Sequence, residues 1–181
     1  FEATTMNDIA MASQRGRRTL YTYFRNKEEI YLGVIANEME YLESEIDRVA
    51  TMIATPEERI CTLIFVHLVA IKEAVQRNGT LRAEFFRNSW MVEKVRRSFD
   101  VKEKALLTKI IEEGVALGLF IVEDVSLIVE IIHFATRGIE LPFIFDRIHH
   151  GYSYEETMPL VLNILRRTLG VGIQTSKYII R

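Results

Sequence analysis

Thr5-Met6-Asn7-Asp8-Ile9-Ala10-Met11-Ala12-Ser13-Gln14-Arg15-Gly16-Arg17-Arg18-Thr19-Leu20-Tyr21-Thr22-Tyr23-Phe24 is the stretch that decides the fold. Thr5 through Asp8 reads as a capping box: the threonine accepts from a first-turn amide and the aspartate reaches back to the cap. A short helix follows, with Met6, Ile9 and Ala10 on one side. It is expected to stop near Ser13, where Gln14-Arg15-Gly16 brings polar residues and a glycine. A second short helix is expected over about Arg17 to Phe24. At about 100° per residue, Arg17, Arg18, Tyr21 and Arg25 share one broad face, while Leu20 and Phe24 fall towards another. Two short helices about a tight turn, the second with a basic-aromatic face, make a helix-turn-helix.

Charge supports this. The net charge is −2, yet Arg15, Arg17, Arg18, Arg25 and Lys27 lie between Gln14 and Lys27 with no acidic residue, which leaves the rest of the chain at −7. A basic head on an acidic body is the asymmetry expected when one end meets phosphate.

Beyond the head, Asn26 caps a long connecting helix expected from Lys27 to Ile53, with Ile30, Val34, Ile35, Leu42, Ile46 and Val49 at three- and four-residue steps. Thr55-Pro56-Glu57-Glu58 is a strong helix start, followed by Leu63-Ile64-Phe65-Val66, apolar nearly all round and so expected to be central. That helix should end at Asn78-Gly79. Leu81 to Phe99 is aromatic-rich and reads as one or two helices. Val101 to Leu117 continues helically and Gly118 stops it. Asp124 opens a helix through Ile128, Ile131, Ile132 and Ala135, expected to end before Pro142. Ser153-Tyr154-Glu155-Glu156 starts the last, whose stripe Met158, Val161, Leu162, Leu165 and Leu169 closes at Gly170. With no β-alternation, the fold class is all-α.

Several function classes are excluded or disfavoured. The densest apolar run, Leu63 to Ile71, is too short to cross a bilayer, so no membrane role is expected. Cys61 stands alone and reads as a buried thiol in a reducing, cytoplasmic setting. There is no nucleophile-base pair, no phosphate loop and no ligand set at metal spacing, so neither an enzyme, a metal nor a cofactor is expected. His149-His150 diverge by about 100° if helical, a poor chelating geometry.

Phe1 to Ile30 resembles the DNA-binding signature of the tetracycline-repressor (TetR) family, on Phe1, Thr4-Thr5, Ile9-Ala10, Ala12, Thr19-Leu20-Tyr21, Tyr23-Phe24 and Lys27-Glu28. Glu113 to Phe120 is similar to the loosely shared end of a body helix. This chain departs from the family at the turn, reading Gln14-Arg15-Gly16 where Gly-Val-Ser is usual. The resemblance implies a helix-turn-helix head, its first helix largely missing because Phe1 sits at that helix's end, followed by a helical-bundle body for ligand binding and dimerisation. The division expected is residues 1–50 as head, including the start of the connecting helix, and 51–181 as body. Arg17 and Arg18 are the expected base readers, since arginine forks onto guanine O6 and N7, worth about 1–3 kcal/mol of discrimination per good pair. The resemblance places Thr19 and Tyr21 on the same surface, Tyr23 and Lys27 on phosphates, and Thr5 as a possible further phosphate contact.

The resemblance also implies an apolar effector pocket in the body. Phe65, His67, Phe86, Trp90, Phe99 and Phe134 could line it, although at helical spacing such residues are more often plain core, and His67 a satisfied core histidine. Ile128, Ile132, Met158, Val161, Leu162, Leu165 and Leu169 are the expected homodimer interface. The function this implies is a dimeric transcriptional regulator, a repressor of a palindromic double-stranded DNA operator released by a small apolar effector. The alternative is an adaptor of the same fold that uses its head for protein contacts, or binds DNA without small-molecule control.

Overall fold

The computed structural model describes residues 3–77, 89–148 and 154–171. Seven helices and no strand occur among them. They are α1 (Met6–Ala12), α2 (Arg17–Tyr23), α3 (Lys27–Ala50), α4 (Pro56–Arg77), α5 (Ser89–Ala116), α6 (Val125–Ile144) and α7 (Tyr154–Thr168). The expected break at Asn78-Gly79 and the start signal at Ser153 lie outside the described residues, as do His149-His150 and Phe86.

The helix starts follow the side-chain caps in the sequence. Thr5 and Asp8 form the reciprocal capping box of α1. Asn26 accepts from the Glu29 amide at α3, and Asp124 from the Leu127 amide at α6. At α4, Thr55 accepts from the Glu58 amide while the Glu58 carboxylate accepts from the Thr55 amide, before Pro56 at the first helical position.

Four of the helix ends share one device. Arg15 N–H donates to Ala10 C=O and Gln14 N–H to Met11 C=O, the six-to-one and five-to-two pair that closes a helix through a left-handed residue. The same pair recurs after α5 at Gly118, after α6 at Asp146 and after α7 at Gly170. Glycine takes this conformation without Cβ strain, at φ 71° for Gly118 and 72° for Gly170. Gln14 and Asp146 take it as non-glycine residues, each at φ 53°. In the head turn, the left-handed residue is therefore Gln14, while Gly16 is an ordinary extended N-cap of α2.

Ser89–Ala116 is one continuous helix of 28 residues, so the chain continues helically through Phe99 into Val101 as read. One expectation about length is corrected. The helix opened by Asp124 runs through Pro142 to Ile144. Pro142 lies in the last turn, where it forgoes one bond, from its own missing N–H to the Gly138 carbonyl, and only Phe143 and Ile144 follow it in the helix.

In the body, α4 packs against α3, α5, α6 and α7, so the nearly all-round apolar helix is central as expected. The core joins Ile35, Leu42 and Ile46 of α3 to Ile60, Leu63 and Ile71 of α4 and to Phe99, Leu107, Ile110 and Ile111 of α5. Although a head of residues 1–50 is the expected division, Tyr31 to Val49 of α3 join this body core. Cys61 is fully buried and burial lifts its thiol to about 11, which makes it an inert core group. Phe120 folds back so closely over Gly114 that any Cβ there would overlap its ring. Ile121 N–H donates to Leu169 C=O, pinning the end of α7 to the α5–α6 loop.

Candidate DNA-binding head and a buried polar network

Within the head, α1 and α2 pack on each other through Ala10 and Leu20, the two buried residues of these helices. Phe24 comes against Gly33 on α3, where a Cβ would lie 3.5 Å from its ring. With Leu20 turned inward, the opposite side of α2 is open: Arg17, Arg18 and Thr19 are exposed, and so are Tyr21 and Tyr23. The Arg17 guanidinium sits 5.6 Å from the centre of the Tyr21 ring, a cation–π contact that limits its freedom before any partner arrives.

Two of the residues implied as phosphate contacts are already engaged. The Thr5 hydroxyl donates to Asp8 Oδ2 at 2.7 Å and accepts from the Asp8 amide, so a phosphate would compete with the cap of α1. Lys27 Nζ donates to the Thr4 carbonyl at 3.3 Å, tying the first turn of α3 to the segment before α1. Tyr23 stands clear, 75 % exposed.

The middle of the body holds a chain of buried charges that sequence reasoning missed, except for His67. His67 Nδ1 lies 2.5 Å from Glu103 Oε1, and its Nε2 lies 2.9 Å from Glu140 Oε1. The other oxygen of Glu103 meets His133 Nδ1 at 2.7 Å. Arg96 grips Glu140 with both terminal nitrogens, at 2.6 and 2.9 Å. Asp100 and Glu93 continue the chain outward through Arg137. Three helices are thereby cross-linked: α4 by His67, α5 by Arg96 and Glu103, α6 by His133 and Glu140.

Their protonation follows from this geometry. Burial opposes charge on His67, but hydrogen bonds to carboxylates at both ring nitrogens outweigh it and lift the imidazole to about 9. Burial likewise opposes ionisation of Glu103 and Glu140. His133 and His67 on the former, and His67 and Arg96 on the latter, hold each at about 2. Asp100 is raised, chiefly by burial. A sequence signal did exist: Arg96 and Glu103 are seven apart, as are His133 and Glu140, which puts each pair on one helix face two turns apart. Among the described residues no group of three or more metal-binding side chains is arranged to hold a metal.

Among the described residues, the expected effector residues are not brought together. Phe65 and Phe99 are buried, and Phe99 meets the His67 ring edge-on at 5.3 Å as a core contact. Phe134 is 58 % exposed, so it does not line the interior. Trp90 lies in α5, but its side chain is outside the described ones. A cavity of about 290 Å³ does lie between α4, α6 and α7, and of the expected residues whose side chains are described, Phe65 is the one that lines it.

The residues of the expected dimer stripe divide by burial. Ile132, Leu165 and Leu169 are buried within their own chain, and Ile128, Met158, Val161 and Leu162 pack half-buried against that same core. The apolar residues left exposed on α6 and α7 are instead Leu127, Ile131, Phe134, Leu141, Leu160 and Ile164. Both helices carry an apolar stripe wide enough to face two ways, and a stripe alone does not say which edge the chain covers itself.

Two short helices about a tight turn with an open basic-aromatic face, carried on an all-α body, make the head a helix-turn-helix of the kind that docks on DNA. Residues 1–34 match the family of bacterial regulatory proteins described as the tetR family, a match confined to the head that supports a regulator of this kind. No curated protein matches the chain at a significant level. Solved structures match it in fold. The fatty acid degradation regulator FadR from Bacillus halodurans has a TM-score of 0.66 at 19 % identity, covering 96 % of this chain and 87 % of that one. The TetR family transcriptional regulator PfmR from Thermus thermophilus has 0.60 at 17 %, covering 96 % and 89 %. The ketosteroid transcriptional regulator KstR2 of Mycobacterium tuberculosis has 0.54 at 21 %, covering 93 % and 84 %. Among the described residues no helix is long and apolar enough to cross a membrane.

Proposed function

We propose that the chain is a homodimeric repressor that reads a near-palindromic operator through α2 and is released when a small, mostly apolar molecule enters the body. The observation that carries the DNA reading is the exposure of Arg17, Arg18, Thr19 and Tyr21 together on one short helix within the matched head. Arg17 and Arg18 read base edges, with Tyr21 steadying Arg17. Tyr23, and Lys27 after release from Thr4, hold phosphates and fix register without reading sequence. Thr5 serves first as a helix cap.

The dimer reading rests on the outer face of α6 and α7. Leu127, Ile131, Phe134 and Leu141 recur at three-, four- and seven-residue steps, beside Leu160 and Ile164, and no element of the described chain covers them. A two-fold axis there makes a self-complementary four-helix contact. The function needs that symmetry, because paired reading helices must reach half-sites about 34–36 Å apart.

Selection of bound duplexes from a random pool, followed by gel shift at rising salt, tests the reading. The expected outcome is an inverted-repeat sequence whose affinity falls steeply with salt. Failure to enrich any sequence would overturn it and favour an adaptor of the same fold.

A further inference from the structure

We infer that the cavity between α4, α6 and α7 is a site for a neutral, medium-chain molecule carrying one hydrogen-bond donor, such as an alcohol, and that it rejects carboxylates. The inference rests on the reading of the body as a sensor and names the chemistry that the sensor accepts.

Size sets the first limit. The cavity holds about 290 Å³. Since a dry cavity of about 150 Å³ accommodates benzene, a ligand of roughly ten to twelve non-hydrogen atoms fits. Polarity sets the second. Phe65 and Leu68 of α4, Ile132 of α6 and Val161 of α7 supply apolar walls, and no charged side chain is among the described residues that line it. A carboxylate placed there would be desolvated with no cation to meet it.

Two of the three threonines on the wall set the third limit. Thr136, Thr157 and Thr168 all line the cavity. The Thr136 hydroxyl donates to Ile132 C=O at 2.9 Å, and that of Thr168 to Ile164 C=O at 3.0 Å. With their protons spent on their own helices, these hydroxyls have only oxygen lone pairs left for a ligand. They accept, so the ligand must donate. A hydroxyl satisfies them, while a carboxylate, an acceptor only, cannot. The mouth includes Ile131 and Ile164, on the face assigned above to the partner subunit, so occupancy and subunit geometry are positioned to influence each other.

The test uses three chains of matched length, 1-decanol, decane and decanoate, titrated calorimetrically into the native protein without DNA at neutral pH. The expected result is 1-decanol binding at least tenfold more tightly than decanoate, with Thr136→Val reducing its advantage over decane about fivefold. Val161→Phe, which fills the cavity, should abolish decanol binding while circular dichroism shows the helices intact. If that variant does not fold, Ile139→Phe, on another wall, takes its place. Equal or tighter binding of decanoate, undiminished binding by a folded cavity-filled variant, or no binding of decanol would each overturn the inference. Failure of the native protein to bind any duplex would instead overturn the regulator reading, and leaves these titrations interpretable.

Discussion

Nε2 of His67 on α4 lies 2.9 Å from Oε1 of Glu140 on α6, both side chains buried, with Glu103 on the other ring nitrogen. An imidazole whose two nitrogens both face carboxylates donates from both, so His67 is a fixed imidazolium holding three helices together. Deleting one member leaves its partners charged and buried. Glu140→Ala should therefore cost about 3–5 kcal/mol, well above a surface change, read as a fall in urea midpoint. A loss under about 1 kcal/mol would mean that the network rearranges around the gap.

The same network sets a pH profile. His67 ionises near 9 in the folded protein against an ordinary 6.5, so its contribution is complete below about 6.5 and is lost as pH rises through 9. Glu103 and Glu140 ionise near 2 against 4.5, so theirs is complete above about 4.5 and is lost as pH falls through 2. The urea midpoint should hold from about pH 4.5 to 6.5 and fall on the alkaline side. His67→Gln should flatten that alkaline fall, and an unchanged slope would move its origin to other groups.

On the head, Arg17→Ala or Arg18→Ala should relax base preference at defined operator positions, costing about 1–3 kcal/mol on the preferred site. Tyr21→Ala should weaken the same positions as Arg17→Ala, because it removes the ring under that guanidinium. Lys27→Ala should weaken all sequences alike and lower the salt slope. Competition gel shifts against single-base variants of the selected site would reverse these roles if only Lys27→Ala altered sequence preference.

The helix ends offer a backbone test. Gln14→Gly should stabilise the head turn by up to about 1 kcal/mol, since a left-handed non-glycine residue is strained by about that much. Gly170→Ala should destabilise by more than about 1 kcal/mol, because its Cβ meets the same strain and also Ile121 O at 2.9 Å. Thermal melts of both variants decide it, and matching signs would refute the account.

For the dimer, Ile164→Glu should give a monomer by light scattering and lose tight operator binding with it. Leu165→Glu, a change in the core, should lower the melting temperature as well. A dimeric, DNA-competent Ile164→Glu protein would show that the subunits meet elsewhere.

Local matters were legible in the chain before any packing was known. Thr5, Asn26, Thr55 and Asp124 announced the helix starts, Gly118 and Gly170 announced two ends, and Arg17 to Tyr23 announced the reading face. Each depends on groups within four or five residues of one another, so spacing alone is informative. Packing settled the rest. It showed that Leu165 faces inward while Ile164 faces out, because an apolar stripe does not say which neighbour covers it. It joined His67 to Glu103 and Glu140, 36 and 73 residues further along the chain. Charges so distant meet only when packed helices bring their faces together, and in low dielectric that meeting, rather than residue type, fixes protonation.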